Sequence, residues 1–288
     1  MGLLNALVQG LLLGGLYALF AAGLSLMFGV MRIVNLAHGD LGVVASYLVL
    51  VVVTHTVLPL WAAAILSIAL FALVGYATQR TLIQRSLNSG PLATLLVTFG
   101  LSIVLQNVLQ QMFSADTRTL DAGSFATASI KLTDGLRVSW IGLLGLALAV
   151  GVIVAVQLFL SRTATGRMMR AASDDPETAG VVGANARHIY AVATAIAFGT
   201  VAMAGVVFSM RSSFDPSIGS MSLIFAFEAV VIGGLGSLWG TLLGGLALGA
   251  VQGVVSYYDP ANSVLAGHLL FLAVLAFRPQ GLIAARAA

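Results

Sequence analysis

Ionisable side chains are scarce in this sequence, so the few that interrupt apolar runs carry most of its chemical information. His38 and Asp40 stand in the stretch Asn35-Leu36-Ala37-His38-Gly39-Asp40, between two long apolar segments. Glu228 stands inside the apolar run from Leu223 to Ile232, just before Gly233-Gly234-Leu235-Gly236. In hydrocarbon such groups are costly, and they face a bundle interior or a water-filled cavity, often along a path for ions or solutes. Asn35, Gln106 and Asn107 are uncharged polar candidates of the same kind. For Asn35, His38 and Asp40 two readings are open: a gate or part of a translocation path, or a polar knot that satisfies a broken helix. The knot is favoured, because an unwound backbone in a membrane needs such partners wherever it occurs. For Glu228 the balance is even between a cavity-lining or subunit-contact carboxylate and one paired with an arginine or backbone amides.

Other chemistries are excluded by what is missing. The chain has no cysteine, which removes disulfides, thiolate metal sites and cysteine nucleophiles. His38, His55, His188 and His268 are dispersed; His268 has no partner at metal spacing, and no H-E-x-x-H motif is present. No metal site is expected. Ser25 and Ser102 have no base near them in the sequence, so a membrane-embedded enzyme has little support. No G-x-x-x-x-G-K-[ST] loop is present, so the chain does not bind ATP in that mode. The net charge is +3 and the arginines are scattered between apolar runs, which does not suggest nucleic acid.

The elements that must position these residues are membrane helices. Hydrophobic residues make up 59% of the chain and charged residues 8%, whereas soluble domains carry about a quarter charged residues. A spanning helix needs about 20 mostly apolar residues. Segments that meet or approach this run from Leu3 to Val30, Leu41 to Val57, Leu60 to Thr78, Leu92 to Phe113, Trp140 to Leu160, Ile189 to Met210, Leu238 to Ser256 and Val264 to Phe277. The short Leu223 to Ile232 run is either a crossing or a re-entrant helix. The fold class is therefore all-α: a polytopic transmembrane bundle of about eight or nine membrane segments, some short or broken. Met1 to Val30 lacks a basic leader and its apolar run is too long for a signal sequence, so it reads as a retained first span.

Arginine placement gives an orientation. Arg80 and Arg85, then Arg162, Arg167, Arg170 and Arg187, then Arg278 and Arg286 fall on one side of an alternating bundle. That side is expected to be cytoplasmic, with the C-terminus on it. Small residues recur at four-residue spacing, as Gly10 and Gly14 and as the run Gly240, Gly244, Gly245, Gly249 and Gly253. Packing within one bundle is favoured over a dimer seam.

The longest informative polar stretch, residues 161–188, reads as two short helices. The first covers Gly166 to Ala172, with Arg167 and Arg170 near the membrane surface. The second begins at Asp174-Asp175-Pro176-Glu177, with Asp174 and Glu177 as a capping box, an apolar side of Ala179, Val181 and Val182, and an end at Gly183 to Asn185. The pair is either a docking element or an interfacial connector. Its mixture of arginine and aspartate leans toward a protein partner, because lipid-surface helices are more uniformly basic.

At this loop the sequence resembles the permeases of ABC importers, whose cytoplasmic motif of an alanine pair followed by a glycine forms a coupling helix. The residues are Arg170-Ala171-Ala172, Asp174, Glu177, Ala179 and Gly183. The closer resemblance is to branched-chain amino acid permeases of the LivH type. It is carried by Gly15-Leu16-Tyr17-Ala18-Leu19 with Gly23-Leu24-Ser25-Leu26, by Gly29 through Asp40, by Thr165-Gly166-Arg167 through Gly183, by Gly233 through Gly240, and by Arg278-Pro279-Gln280-Gly281-Leu282. The resemblance implies a single transmembrane permease domain over residues 1–288, in the bacterial inner membrane. It implies a second homologous permease subunit, two cytoplasmic ATP-binding subunits that carry ATP and magnesium, and a periplasmic substrate-binding protein. This chain itself would hold no cofactor. Function would be ATP-driven import of branched-chain amino acids or related small polar solutes by alternating access. The alternative is a secondary transporter driven by an ion gradient, which needs carboxylates at the midplane; only Glu228 looks so placed.

Overall fold

Chain segments crossing hydrocarbon must satisfy their backbone groups internally, and a single helix does this within one segment. The computed structural model describes residues 2–87, 89–133, 136–175, 179–180 and 185–283, and there the apolar runs are helices. They are α1 Leu3–Met31, α2 His38–His55, α3 Leu60–Thr78, α4 Pro91–Phe113, α5 Trp140–Arg162, α6 Ala164–Asp174, α7 Ala186–Arg211, α8 Ile218–Gly233, α9 Leu238–Tyr258 and α10 Ser263–Phe277. α3 continues through a π-helical turn, Gln79–Ile83, to Leu87, and α10 is preceded by a 3-10 turn at Pro260–Asn262. Eight helical stretches are long and apolar enough to cross a membrane, and α8, at 16 residues, is a shorter apolar helix. The expected all-α bundle of eight or nine segments is what forms.

The bundle is built around α1. It is apolar on every face, as a helix enclosed on all sides should be, and it lies beside α5, α7, α8 and α9. α7 is likewise enclosed, whereas α10 is half-buried to exposed, with Gly267 its one buried residue and Val264, Leu270, Phe271 and Val274 packed against its neighbours. The glycine runs explain the closest approach. A Cβ at Gly249 would overlap the backbone of Gly10 and Gly14, and one at Gly245 would overlap Gly14 and Ala18. Gly10 and Gly14 with Gly245, Gly249 and Gly253 form one seam inside the bundle, between α1 and α9, while Gly240 and Gly244 face the backbone of α8.

Three local details differ from the sequence reading. The second span begins at His38 rather than Leu41, so Asp40 lies within its first turn. The polar stretch after α4 folds a small antiparallel hairpin, β1 Ser129–Thr133 with β2 Leu136–Ser139, which pairs Lys131 with Arg137. Its edge is tied to α1, where Asn5 Oδ1 accepts from the Arg137 amide at 3.1 Å. In the 161–188 loop the first helix runs past Ala172 to Asp174, so Asp174 ends this helix instead of capping the next. Thr163 caps its start by accepting from the Gly166 amide at 2.9 Å, and Asp175 breaks it with extended backbone. The Ala179 amide donates to the Asp175 carbonyl at 3.0 Å, and Ala179 and Gly180 are helical. Pro176, Glu177, Val181, Val182, Gly183 and Arg286 lie outside the described residues.

The arginine-bearing segments meet at one end of the bundle. Arg80, Arg85 and Arg187 line one cleft with Gln84, and Tyr76 and His188 share a 3.0 Å hydrogen bond. After α10 the chain turns back onto the same end, where the Leu282 and Ile283 amides donate to the Ile232 and Gly233 carbonyls at 2.8 and 2.9 Å.

Replacing Gly249 by leucine should lower stability by about 1–3 kcal/mol or more, because the facing atoms are backbone and cannot move aside. A Cβ at Gly100 meets nothing within 4 Å. Thermal unfolding of the purified protein in detergent should therefore show a lowered midpoint for Gly249→Leu and little change for Gly100→Ala.

Candidate functional site

Among the described residues two buried clusters contain a carboxylate, one at the helix break before α2 and one within α8. The first surrounds the start of α2. α1 ends at Arg32, whose φ of 55° places it in the left-handed region. Residues 33–37 then run without helical bonding until α2 starts inside the protein. Neighbouring groups satisfy this stretch. The Ala37 amide donates to Asn35 Oδ1 at 3.0 Å, and the Leu36 amide donates to Thr98 Oγ1 of α4 at 3.2 Å. His38 Nε2 lies 3.0 Å from the Phe20 carbonyl of α1. Asn35, His38 and Asp40 are all buried.

Asp40 is the centre of this cluster. Its carboxylate accepts from the Ser102 hydroxyl at 2.5 Å and from Gln106 Nε2 at 3.0 Å, both on α4. Gln106 also donates to Ser220 Oγ at the start of α8, at 3.0 Å. The first turn of a helix favours a negative charge, since its amides point outward there. α8 begins against the same spot, because a Cβ on either Gly39 or Gly219 would overlap the other segment's backbone. Asp40 thus joins α2, α4 and α8 through neutral donors. Asn107, by contrast, is exposed and donates to the carbonyl of Ile103.

The second cluster surrounds Glu228 on α8. Glu228 Oε1 lies 2.5 Å from His268 Nδ1 on α10. His268 stacks on Phe225, and Phe225 stacks on Tyr17 with ring centres 4.8 Å apart. The Tyr17 hydroxyl donates to Gln252 Oε1 on α9 at 2.8 Å. The partner of Glu228 is thus a histidine rather than an arginine or backbone amides. A line of aromatic and polar contacts runs from Glu228 to Gln252 and ties four helices together. Among the described residues no group of three histidine, aspartate or glutamate side chains could hold a metal ion.

At the end that carries the arginines, α6 presents two faces. Met169 and Ala172 are buried, and Arg167, Arg170, Ala171 and Asp174 face outward. Ala179 is also buried. The outward set follows the i, i+3, i+4, i+7 spacing of one helix face. Glu177 and Gly183, named with these from the sequence, lie outside the described residues.

Sequence reasoning named Asp40, Glu228 and Gln106 but missed their partners Ser102, Ser220 and His268. Ser102 was set aside because no base stood near it in the sequence, yet it donates to a carboxylate 62 residues away. One signal was available: Ser102 and Gln106 are a polar i, i+4 pair on one face of an apolar helix. No local signal linked His268 to Glu228, 40 residues apart.

A multi-helix membrane bundle with a polar cluster at a helix break, a second within α8, and an amphipathic helix held at one end, has the build of a transport protein. Residues 6–275 match the family model described as branched-chain amino acid transport system / permease component. The chain belongs to that family. It is 32% identical to the high-affinity branched-chain amino acid transport system permease protein BraD of Pseudomonas aeruginosa, over 97% of this chain and 95% of that one. It is 27% identical to the corresponding permease protein LivH of Salmonella typhimurium, again over 97% and 95%. The solved structure of PsaBC from Streptococcus pneumoniae in complex with Fab is similar at a TM-score of 0.48 and 15% identity, over 96% of this chain and 92% of that chain.

Ser102→Ala should cost about 1–3 kcal/mol, because it takes a donor from a buried carboxylate. Asn107→Ala, at an exposed position, should stay within about 0.5 kcal/mol. Thermal melts of the two variants in the same detergent compare them directly.

Proposed function

We propose that this chain is the membrane-spanning permease subunit of an ATP-driven importer of branched-chain amino acids, in the bacterial inner membrane with its C-terminus cytoplasmic. The family match over residues 6–275 carries the reading. A second homologous permease subunit would stand beside it, two cytoplasmic ATP-binding subunits below it, and a periplasmic substrate-binding protein above it. ATP and magnesium belong to the ATP-binding subunits. Solute crosses by alternating access: closure of the ATPases displaces the loop of residues 161–188, and the spans rock around the path. The outward face of α6, with Arg170, Ala171 and Asp174, is the first part of the docking element, Glu177 and Gly183 continue it, and Ala172 and Ala179, which are buried, seat it on the bundle instead of facing the partner. Asn35, His38 and Asp40 border the helix break before α2, Glu228 stands within α8, and together they act as a gate or lining.

Two buried carboxylates, Asp40 and Glu228, favour a second reading, a transporter driven by an ion gradient. The two readings separate in vesicles. With the ATP-driven importer, vanadate abolishes leucine uptake and an uncoupler spares it; the reverse result supports the ion-driven transporter. Glu177→Arg and Arg170→Glu should each lower uptake at least tenfold and uncouple ATP hydrolysis from transport. Unchanged uptake and coupling in both variants would remove the docking role.

A further inference from the structure

At the end of the bundle away from the arginine cleft, α1, α7, α9 and the start of α10 line an open cavity of about 450 Å³. It falls in the range of small-molecule pockets, roughly 300–1,000 Å³. Its wall includes Gln9 and Leu13 of α1, Arg211 at the end of α7, Gln252 and Ser256 of α9, and Ser263 of α10, with no acidic side chain. Arg211 Nη1 and Gln252 Nε2 are buried and have no hydrogen-bond partner among the described residues, and Arg211 forms no ion pair among them. Gln252 is 96% buried, the complement of its 4% exposure. Arg211 stands at the end of a long enclosed helix, and Gln252 is held through its oxygen by the Tyr17 hydroxyl.

Arg211 is half-buried, and a guanidinium nitrogen withdrawn from water with no partner is an unfavourable arrangement until an anion meets it. We propose that this cavity is a carboxylate subsite for a small zwitterionic solute, with Arg211 as its anion-binding residue. The planar guanidinium pairs with a carboxylate through parallel hydrogen bonds. Gln252 Nε2 supplies a second donor to the carboxylate, Gln9 Oε1 and the Ser256 and Ser263 hydroxyl oxygens are acceptors that suit an ammonium, and Leu13 with the glycine edges of α1 and α9 gives room for an aliphatic side chain. The identity of the solute as an amino acid rests on the proposed function; the carboxylate preference rests on the cavity. The contacts from Gln252 through Tyr17 and Phe225 to His268 and Glu228 join this subsite to α8 and α10.

The test uses the assembled permease and ATPase complex without its binding protein. Leucine and isovalerate, which share the carboxylate, should raise the thermal midpoint, and leucinamide, which lacks it, should not. Arg211→Gln should abolish the shift and Arg211→Lys should keep part of it. Ser256→Phe, which fills the cavity from an exposed wall position, should also abolish it. In the reconstituted system with binding protein, Arg211→Gln should raise the half-saturating leucine concentration at least tenfold. An equal shift with leucinamide, or a shift retained in both Arg211→Gln and Ser256→Phe, would overturn the proposal. So would an anionic lipid found by native mass spectrometry to occupy the wild-type cavity but not Arg211→Gln, with no carboxylate shift. A wild-type complex that shows the carboxylate shift but moves no leucine would refute the proposed function and leave the subsite standing.

Discussion

Everything in this bundle depends on one constraint: hydrocarbon offers no hydrogen bonds, so the chain must satisfy every buried backbone group itself. Unbroken helices meet it without help. At the two breaks the chain needs side chains or distant backbone as substitutes. Asn35 and Thr98 serve the amides just before α2, and His38 ties its start to the Phe20 carbonyl of α1. At the end of α8, where Gly234 has a φ of 114°, the returning C-terminal segment supplies amides to two carbonyls. Of the polar groups that look chemically active, Asn35 serves the broken backbone directly, whereas Asp40 and Glu228 bond side chains of other helices. That requirement and a role in transport are compatible, because a broken helix is also a place where two halves can move.

Packing follows from the same poverty of polar interactions. Lipid tails are as apolar as leucine, so helices gain little from simply hiding apolar surface from lipid, and close backbone contact matters more. The seam between α1 and α9 achieves this with Gly10, Gly14, Gly245 and Gly249. The crossing of Gly39 with Gly219 does the same where α2 and α8 begin. Polar bonds then fix which helices meet: Asp40 selects α4 and α8, and Glu228 selects α10.

Much of the architecture was legible in the sequence because apolar length and charge placement are properties of consecutive residues. The spans, the breaks near His38 and Gly233, and the polar loop all follow from such runs. The start of α2 was misplaced by three residues because His38 and Asp40 look like loop residues until their partners are known. Asp174 was misassigned because its spacing to Glu177 imitates a cap, while Asp175 is the residue that leaves the helix. The pairs Asp40–Ser102 and Glu228–His268 were hidden for a simpler reason. They join residues far apart in the chain, and which helices become neighbours is decided by packing that no local pattern records.

The glycine seam has a consequence for synthesis. Gly10 and Gly14 emerge first, and their partners on α9 follow more than two hundred residues later. At about 5–20 residues per second, α1 waits on the order of ten seconds or more in the bilayer with its groove unfilled. An all-apolar helix can endure that interval, since lipid covers its flanks while its glycines stay open. The helix at the centre of the finished protein is therefore a placeholder during birth, and the last third of the chain closes around it.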